Sequence, residues 1–228
     1  MRTRKPALIL TVLALLLAVA GCSTEIAGTP TADPTPAPLG VAGDGYGIVA
    51  GFDDAPARIE IFTEPQCSHC RDLQSEYGDQ LASYVKAGTL QVTYRPLTFL
   101  DDGPDGYSAT VANALFAAAD PSGDFAVTGT QFQHFVEELW LNQDPGGVPF
   151  SGDELRDMAL RAGLPDGIAD NIASLDEAVD TAEMGEANFT YLYEIDPLQT
   201  GTPTVFDLVT EEKVDIYSDD WLEQLLRS

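Results

Sequence analysis

From Arg58 to Cys70 the chain reads R-I-E-I-F-T-E-P-Q-C-S-H-C, and its hydrophobic period changes within this segment. The part that ends at Thr63 alternates apolar and polar residues, which predicts a β-strand. Residues 64–66 interrupt that strand. From Cys67 to Gly88 apolar residues recur every three or four positions, which predicts a helix with glycine as its C-terminal stop. The cysteine pair is therefore expected where a strand leads into a helix N-terminus.

This position predicts reactive thiols, because a helix N-terminus carries partial positive charge and free N–H groups that stabilise a thiolate. Cys67 lies at the tip of the helix and is expected to be exposed and nucleophilic. Cys70 is three residues before Leu73 on the buried stripe, so we expect it to resolve a mixed disulfide with Cys67. His69 lies between them, and its imidazole can stabilise the Cys67 thiolate further.

The cysteine count favours redox chemistry over other uses of the pair. The chain holds three cysteines, and a structural zinc site needs four ligands. The only other histidine is the distant His134, which we expect on the surface. Haem attachment requires histidine directly after the second cysteine, where Arg71 stands. We expect no metal and no bound cofactor; a metal or haem site and an inert buried pair are the minor alternatives.

The remaining elements complete an α/β pattern. A second strand is predicted at Thr89–Leu97. Helices are predicted at Tyr107–Ala119, around Phe132–Trp140, after a capping box at Ser151 and Glu154, and after another at Ser174 and Glu177. A hairpin follows, with strands Thr204–Val209 and Val214–Tyr217, and the last helix begins near Asp219. The predicted order is strand, helix, strand, helical block, hairpin and helix.

The N-terminus has the pattern of an export signal. Positive charges at Arg2, Arg4 and Lys5 precede the apolar run Ala7–Ala20, which is short for a membrane span. The run ends in V-A-G-C at Cys22, which resembles the bacterial lipobox, in which the cysteine is lipidated, for example with palmitate. An ordinary secretory signal with a chance cysteine is the alternative.

Three segments follow from this pattern. Residues 1–21 are predicted to be a lipoprotein signal peptide, and residues 22–43 a lipidated cysteine with a Pro-, Thr- and Ala-rich tether. Residues 44–228 form the predicted domain. We therefore expect a lipid-anchored protein at the extracytoplasmic face of the cell membrane.

The charge balance is strongly acidic. The formal net charge is −26, and it becomes −29 when Arg2, Arg4 and Lys5 leave with the signal peptide. Such a surface repels nucleic acid and anionic lipid, so we expect no nucleic-acid partner.

Two motifs give a family resemblance. The strand and motif I-E-I-F-T-E-P-Q-C-S-H-C from Ile59, and G-T-P-T-V-F from Gly201, resemble the active-site strand and cis-proline loop of the DsbA-like branch of the thioredoxin superfamily. The resemblance implies a thioredoxin fold with a large helical insertion at about residues 101–198. It also implies that Pro203 is cis and that the backbone at Thr202 pairs with an extended substrate strand.

The chain departs from that family pattern at two positions. Ser68 stands where many relatives have proline, and Ile61 stands where many have a buried acid six residues before the first cysteine. Glu60 and Glu64 are nearby, so proton transfer to Cys70 is expected to use one of them or water.

The resemblance implies a thiol–disulfide oxidoreductase. An oxidase that forms disulfides in exported proteins through a mixed disulfide at Cys67 is the leading hypothesis. Its membrane recycling partner would be a DsbB-type quinone reductase or a homologue of vitamin K epoxide reductase. The alternatives are a reductase or isomerase, for disulfide repair or cytochrome c maturation, and a non-redox lipid-anchored binding or chaperone module.

Overall fold

The computed structural model describes residues 35–103, 106–120 and 126–227. The strands are β1 Leu39–Val41, β2 Ile48–Ala50, β3 Ala57–Thr63, β4 Leu90–Pro96, β5 Thr204–Asp207 and β6 Glu212–Lys213. The helices are α1 Ser68–Ala87, α2 Tyr107–Ala119, α3 Gly129–Leu141, α4 Gly152–Arg161, α5 Asp166–Ala173, α6 Thr181–Ile195 and α7 Trp221–Leu225. This composition confirms the predicted α/β class.

The strands form one six-stranded sheet in the order β1-β2-β4-β3-β5-β6. The central strands β3 and β4 are parallel, and the other neighbouring pairs are antiparallel. All seven residues of β4 are buried, and only Arg58 of β3 is exposed. Helices therefore cover both faces of the central strands, as is usual for parallel pairs. The C-terminal end of β3 leads directly to the cysteine pair.

Helix α1 has the predicted bounds. Cys67 is its N-cap residue, and Gly88 ends it with a φ of 71°, a left-handed conformation that glycine adopts without a Cβ penalty. Helix α1 packs against α3, where the Gln133 side-chain amide donates to Gln74 Oε1 at 2.9 Å. The hydroxyl of Tyr94 on β4 donates to the same Gln133 side chain. Buried polar contacts thus join α1, the sheet and the helical region.

Helices α2–α6 occupy the interval between β4 and β5, where the sequence predicts a helical insertion. The capping box at Ser151 and Glu154 opens α4 as predicted. The second predicted capping box is wrong: Ser174 follows the end of α5, and Leu175 leaves the helical path with a φ of 58°. Helix α6 instead begins after Asp180, whose carboxylate accepts from two first-turn N–H groups.

The sheet edges differ most from prediction. Strands β1 and β2 form an unpredicted hairpin that lies beside β4, and β1 lies within the segment assigned to the tether. At the other edge, β6 is Glu212–Lys213, so the predicted strand Val214–Tyr217 is wrong. Val214 N–H still donates to the Val205 carbonyl at 2.8 Å. Such short edge strands depend on pairing with their neighbours more than on a local hydrophobic pattern.

The predicted signal peptide, Cys22 and the first part of the tether lie outside the described residues. Within the described ranges, no helix is both long and apolar enough to cross a membrane.

Candidate active site

The two cysteines lie at the junction that the sequence predicts. Cys67 follows the turn after β3, with its N–H donating to the Glu64 carbonyl at 2.9 Å. Its side chain is half-buried, whereas Cys70, in the first turn of α1, is 1 % exposed. Both are free thiols in this structure. The structure therefore shows the predicted difference in exposure, with Cys67 more accessible than Cys70.

The surroundings of Cys67 favour its thiolate. The Cys70 thiol donates a hydrogen bond to it, and together with weaker donors this lowers the pKa of Cys67 to about 5 although burial opposes the charge. The weaker donors are the Thr202 side chain and the backbone N–H groups of Cys70 and His69. The helix N-terminus thus acts on Cys67 through specific N–H groups.

Cys70 has the opposite character. Burial raises its pKa well above the usual value, and the neighbouring Cys67 sulfur raises it further. The Thr63 side chain and the Glu64 backbone offset only part of this effect. Cys70 therefore holds its proton under conditions in which Cys67 has lost its own.

The loop before β5 closes the site on the side of Cys67. The Thr202–Pro203 peptide bond is cis, which confirms the implied isomer. The Cys67 thiol lies 3.2 Å from the Thr202 carbonyl oxygen. The Thr204 hydroxyl donates to the Gly201 carbonyl at 2.8 Å and ties the loop to the strand. The structure therefore brings Thr202, the residue before the cis-proline Pro203, to the Cys67 sulfur.

A groove of about 520 Å³ opens beside this loop. Its walls are the cis-proline loop, the segment after β6 and Asp196, which is paired with Lys213 at 3.0 Å. Tyr217, at its rim, is 82 % exposed. Thr202, which lines the groove, also contacts the reactive cysteine, because its carbonyl oxygen lies 3.2 Å from Cys67 Sγ.

His69 contributes through its backbone in this structure. Its imidazole is 71 % exposed and lies 4.0 Å from the Asp72 carboxylate. Its N–H is one of the groups that lower the pKa of Cys67.

The two candidate proton carriers lie in different surroundings. Glu60 is buried on β3 and pairs with the Arg95 guanidinium at 2.7 Å. Glu64 is fully buried, and burial raises its pKa to about 7 although neutral donors oppose the rise. These donors are the Ser108 hydroxyl and the N–H groups of Gln66 and Leu100, the last two at 3.1 and 3.4 Å.

Sequence reasoning missed the groups that hold the loop before Cys67. Gln66 donates to Asp101 at 2.9 Å and to Ser108 at 3.1 Å. Gln143, after α3, donates to the carbonyls of Pro65 and Cys67 at 2.9 and 3.2 Å. These partners are 35 to 78 residues away along the chain, so no local pattern could identify them.

One side-chain group in the described part of the chain could hold a metal ion: Asp79, His134 and Glu137, whose ligand atoms lie within 4.8 Å of one another. His134 is 40 % exposed, consistent with the predicted surface position. Asp79 follows Cys67 by twelve residues, about 18 Å along α1. This group is therefore separate from the thiol site.

The fold and the dithiol site together define a thiol–disulfide oxidoreductase with a thioredoxin fold. Residues 44–215 match the family described as Thioredoxin, and the chain belongs to this family. No curated protein matches the chain.

Solved structures resemble the chain over most of its length. MdbA, a thiol-disulfide oxidoreductase from Corynebacterium diphtheriae, is 24 % identical with a TM-score of 0.66, covering 84 % of this chain and 94 % of its own. Reduced DsbA from Mycobacterium tuberculosis is 17 % identical with a TM-score of 0.58, covering 80 % and 91 %. Oxidised BdbD from Bacillus subtilis is 18 % identical with a TM-score of 0.54, covering 85 % and 100 %. These likenesses confirm the DsbA-like fold.

Proposed function

We propose that this chain is an extracytoplasmic oxidase that forms disulfides in exported proteins and is anchored by a lipid on Cys22. The observation that carries the proposal is the asymmetry of the two thiols. Cys67 is the half-buried N-cap residue of α1, whereas Cys70 is 1 % exposed, and accordingly the pKa of Cys67 falls to about 5 while that of Cys70 rises. A stabilised thiolate favours the dithiol form, so the corresponding disulfide readily accepts electrons.

The first step forms a mixed disulfide. A substrate thiolate attacks the Cys67 sulfur of the oxidised enzyme, a substrate–Cys67 bond forms, and the Cys67–Cys70 bond breaks. Cys70 leaves with the electron pair and takes up a proton, because burial disfavours its thiolate. The accessible position of Cys67 directs the attack to this sulfur.

The second step releases the product. A second substrate thiolate attacks the substrate sulfur of the mixed disulfide, which joins the two substrate sulfurs and expels Cys67 as a thiolate. The low pKa of Cys67 makes it a good leaving group. The substrate loses two electrons, and the enzyme ends as the dithiol.

The cis-proline loop is suited to hold the substrate during both steps. The Thr202 carbonyl lies 3.2 Å from Cys67 Sγ, so a strand paired with this backbone would bring its cysteine to the sulfur. The adjacent groove, about 520 Å³, would receive the flanking side chains.

Glu64 is the better of the two candidates for the proton that Cys70 gains and loses. Its pKa of about 7 allows it to exchange a proton near neutral pH. The carboxylate of Glu60 is engaged by Arg95. Glu64 also lies in the chain segment whose backbone contacts Cys70.

Turnover requires a membrane partner that reoxidises the dithiol. A DsbB-type quinone reductase or a homologue of vitamin K epoxide reductase supplies this chemistry, and a lipid on Cys22 would keep the enzyme beside it. A Cys22→Ala variant should lose palmitate labelling and membrane association but keep its reduction potential. Retained labelling would place the lipid elsewhere.

The decisive measurement is the reduction potential of the Cys67–Cys70 pair in glutathione buffers. The oxidase proposal predicts about −120 to −180 mV. A value near about −270 mV or lower would instead identify a reductase and direct the partner search to electron donors.

Trapping separates an enzyme from a non-redox module. Cys70→Ser should accumulate a covalent complex with a disulfide-containing substrate, because the Cys67 thiolate can attack the substrate disulfide but no Cys70 thiol remains to release the mixed disulfide. Cys67→Ser should abolish oxidation and trap substrates only weakly. A chaperone would keep its activity in Cys67→Ser, and absence of any trapped species in Cys70→Ser would contradict the enzyme proposal.

A further inference from the structure

The segment after α3 holds the loop that precedes Cys67. The side-chain amide of Gln143 donates to the Pro65 carbonyl at 2.9 Å and to the Cys67 carbonyl at 3.2 Å. The Gly146 N–H donates to Gln66 Oε1 at 2.9 Å. The helical insertion therefore contacts three of the residues that connect β3 to α1.

The orientation of the Gln143 amide follows from its partners. Both are carbonyl oxygens that only accept, so the NH₂ group must face them. Its Oε1 atom is then buried, with no hydrogen-bond partner in the described part of the chain. An unpaired buried acceptor costs about 1–3 kcal/mol, so space filling by itself would favour an apolar side chain here. The side chain is thus arranged for its contacts with the loop.

These contacts act on the residue that begins the helix. Cys67 has the extended N-cap conformation, with φ −78° and ψ 118°, and its carbonyl accepts from Cys70 N–H and Arg71 N–H at 3.1 and 3.2 Å. Gln143 is a third donor to that carbonyl. The backbone N–H groups of His69 and Cys70 lower the pKa of Cys67. Their position relative to the Cys67 sulfur depends on how the backbone of Cys67 is held.

We propose that Gln143 is a positioning residue through which the helical insertion sets how strongly the α1 N-terminus stabilises the Cys67 thiolate. The inference rests on the proposed oxidase function, since it assigns the strength of the oxidant to a contact outside the thioredoxin-like core. The hydrogen bonds that the Gln143 side chain donates go to backbone carbonyls, and the residue takes no part in bond making.

The test compares Gln143→Met, which keeps side-chain length without donors, with Asn142→Ala. Asn142 is the matched control because, among the described residues, the hydrogen bonds of its side chain go to Glu138 and none to the loop before Cys67. Thiolate absorbance should show a raised Cys67 pKa in Gln143→Met, with the proton affinity of Cys67 increased about three- to tenfold, which corresponds to the loss of about one neutral hydrogen bond. The equilibrium constant for reduction by glutathione should fall by a similar factor, and Asn142→Ala should match the parent chain.

Two outcomes distinguish this inference from the oxidase proposal. An unchanged thiolate titration and potential in folded Gln143→Met would overturn it, even if the variant melts at a lower temperature, because the contact would then be purely structural. Failure of the parent chain to oxidise dithiol peptides would overturn the oxidase proposal but leave the titration comparison valid. Should Gln143→Met not fold, Gln143→Glu keeps the shape and places a carboxylate against both carbonyls. It should raise the Cys67 pKa at least as much, and an unchanged titration there would likewise overturn the inference.

Discussion

Glu60 and Glu64 are both buried and lie four residues apart, yet their electrostatic surroundings differ. Glu60 pairs with Arg95, which also contacts Asp44 at 2.5 Å, and these carboxylates raise the Arg95 pKa although burial opposes its charge. Glu64 receives only neutral hydrogen bonds, and its pKa rises to about 7. The comparison shows that two buried carboxyls four residues apart can differ in the charge of their partners, a cation at Glu60 and neutral donors at Glu64.

The largest expected effect comes from breaking the Glu60 pair. Arg95→Met leaves the Glu60 carboxyl buried without its cation, which should cost about 3–5 kcal/mol of unfolding free energy. Urea unfolding at neutral pH measures the loss. The double variant Glu60→Met, Arg95→Met removes both charges and should be less destabilised than Arg95→Met. If Arg95→Met lowers the free energy of unfolding by less than about 1 kcal/mol, the ion pair with Arg95 is not needed to keep Glu60 buried.

An intermediate effect is expected at Glu64 and depends on pH. The pKa of Glu64 is raised from 4.5 to about 7 in the folded protein. The protonated carboxyl therefore contributes stability that is complete below the unfolded pKa and is lost as pH rises through about 7. Glu64→Gln removes this loss. Its stability relative to the parent should therefore increase between about pH 4.5 and 7.5, by about 3 kcal/mol at about 1.4 kcal/mol per tenfold change in proton affinity.

Denaturant unfolding across this interval tests the sign. Ser83→Ala, on the exposed face of α1, is the control and should not reproduce the increase with pH. The same Glu64→Gln variant should also flatten the pH dependence of Cys70 attack on a mixed disulfide near neutral pH, if Glu64 exchanges the proton. A parallel stability profile for parent and variant would contradict the raised pKa of Glu64.

The smallest expected effect comes from Ser108, whose hydroxyl donates to Glu64. Ser108→Ala removes one donor to the carboxylate, so the Glu64 pKa should rise further, with a cost of about 1 kcal/mol above neutral pH. Infrared titration of the buried carboxyl gives the pKa directly. Ser83→Ala on the exposed face of α1 should leave it unchanged. A lowered pKa in Ser108→Ala would exclude the hydroxyl as a donor to the carboxylate.

Local patterns predicted most of the thioredoxin-like core. The alternation before Cys67 and the helical period after it placed β3 and α1 within a residue or two. Edge elements were predicted less well: β1 and β2 are three residues each, and β6 is two. Such short segments carry too little periodicity for recognition, and they are strands because neighbouring backbone groups pair with them.

The sequence by itself determined where the two cysteines lie, at the junction of a strand and a helix, and which of them is the more accessible. These properties follow from short-range spacing, since the position of a cysteine on a helix is set by the residues that directly flank it. Tertiary structure alone decided which carboxyl near the two cysteines pairs with a cation, and which side chains hold the loop before Cys67. Those properties depend on Arg95, Ser108 and Gln143, which contact Glu60, Glu64 and Cys67. The partners are far apart along the chain and meet only when it folds, so a local hydrophobic pattern cannot predict these contacts.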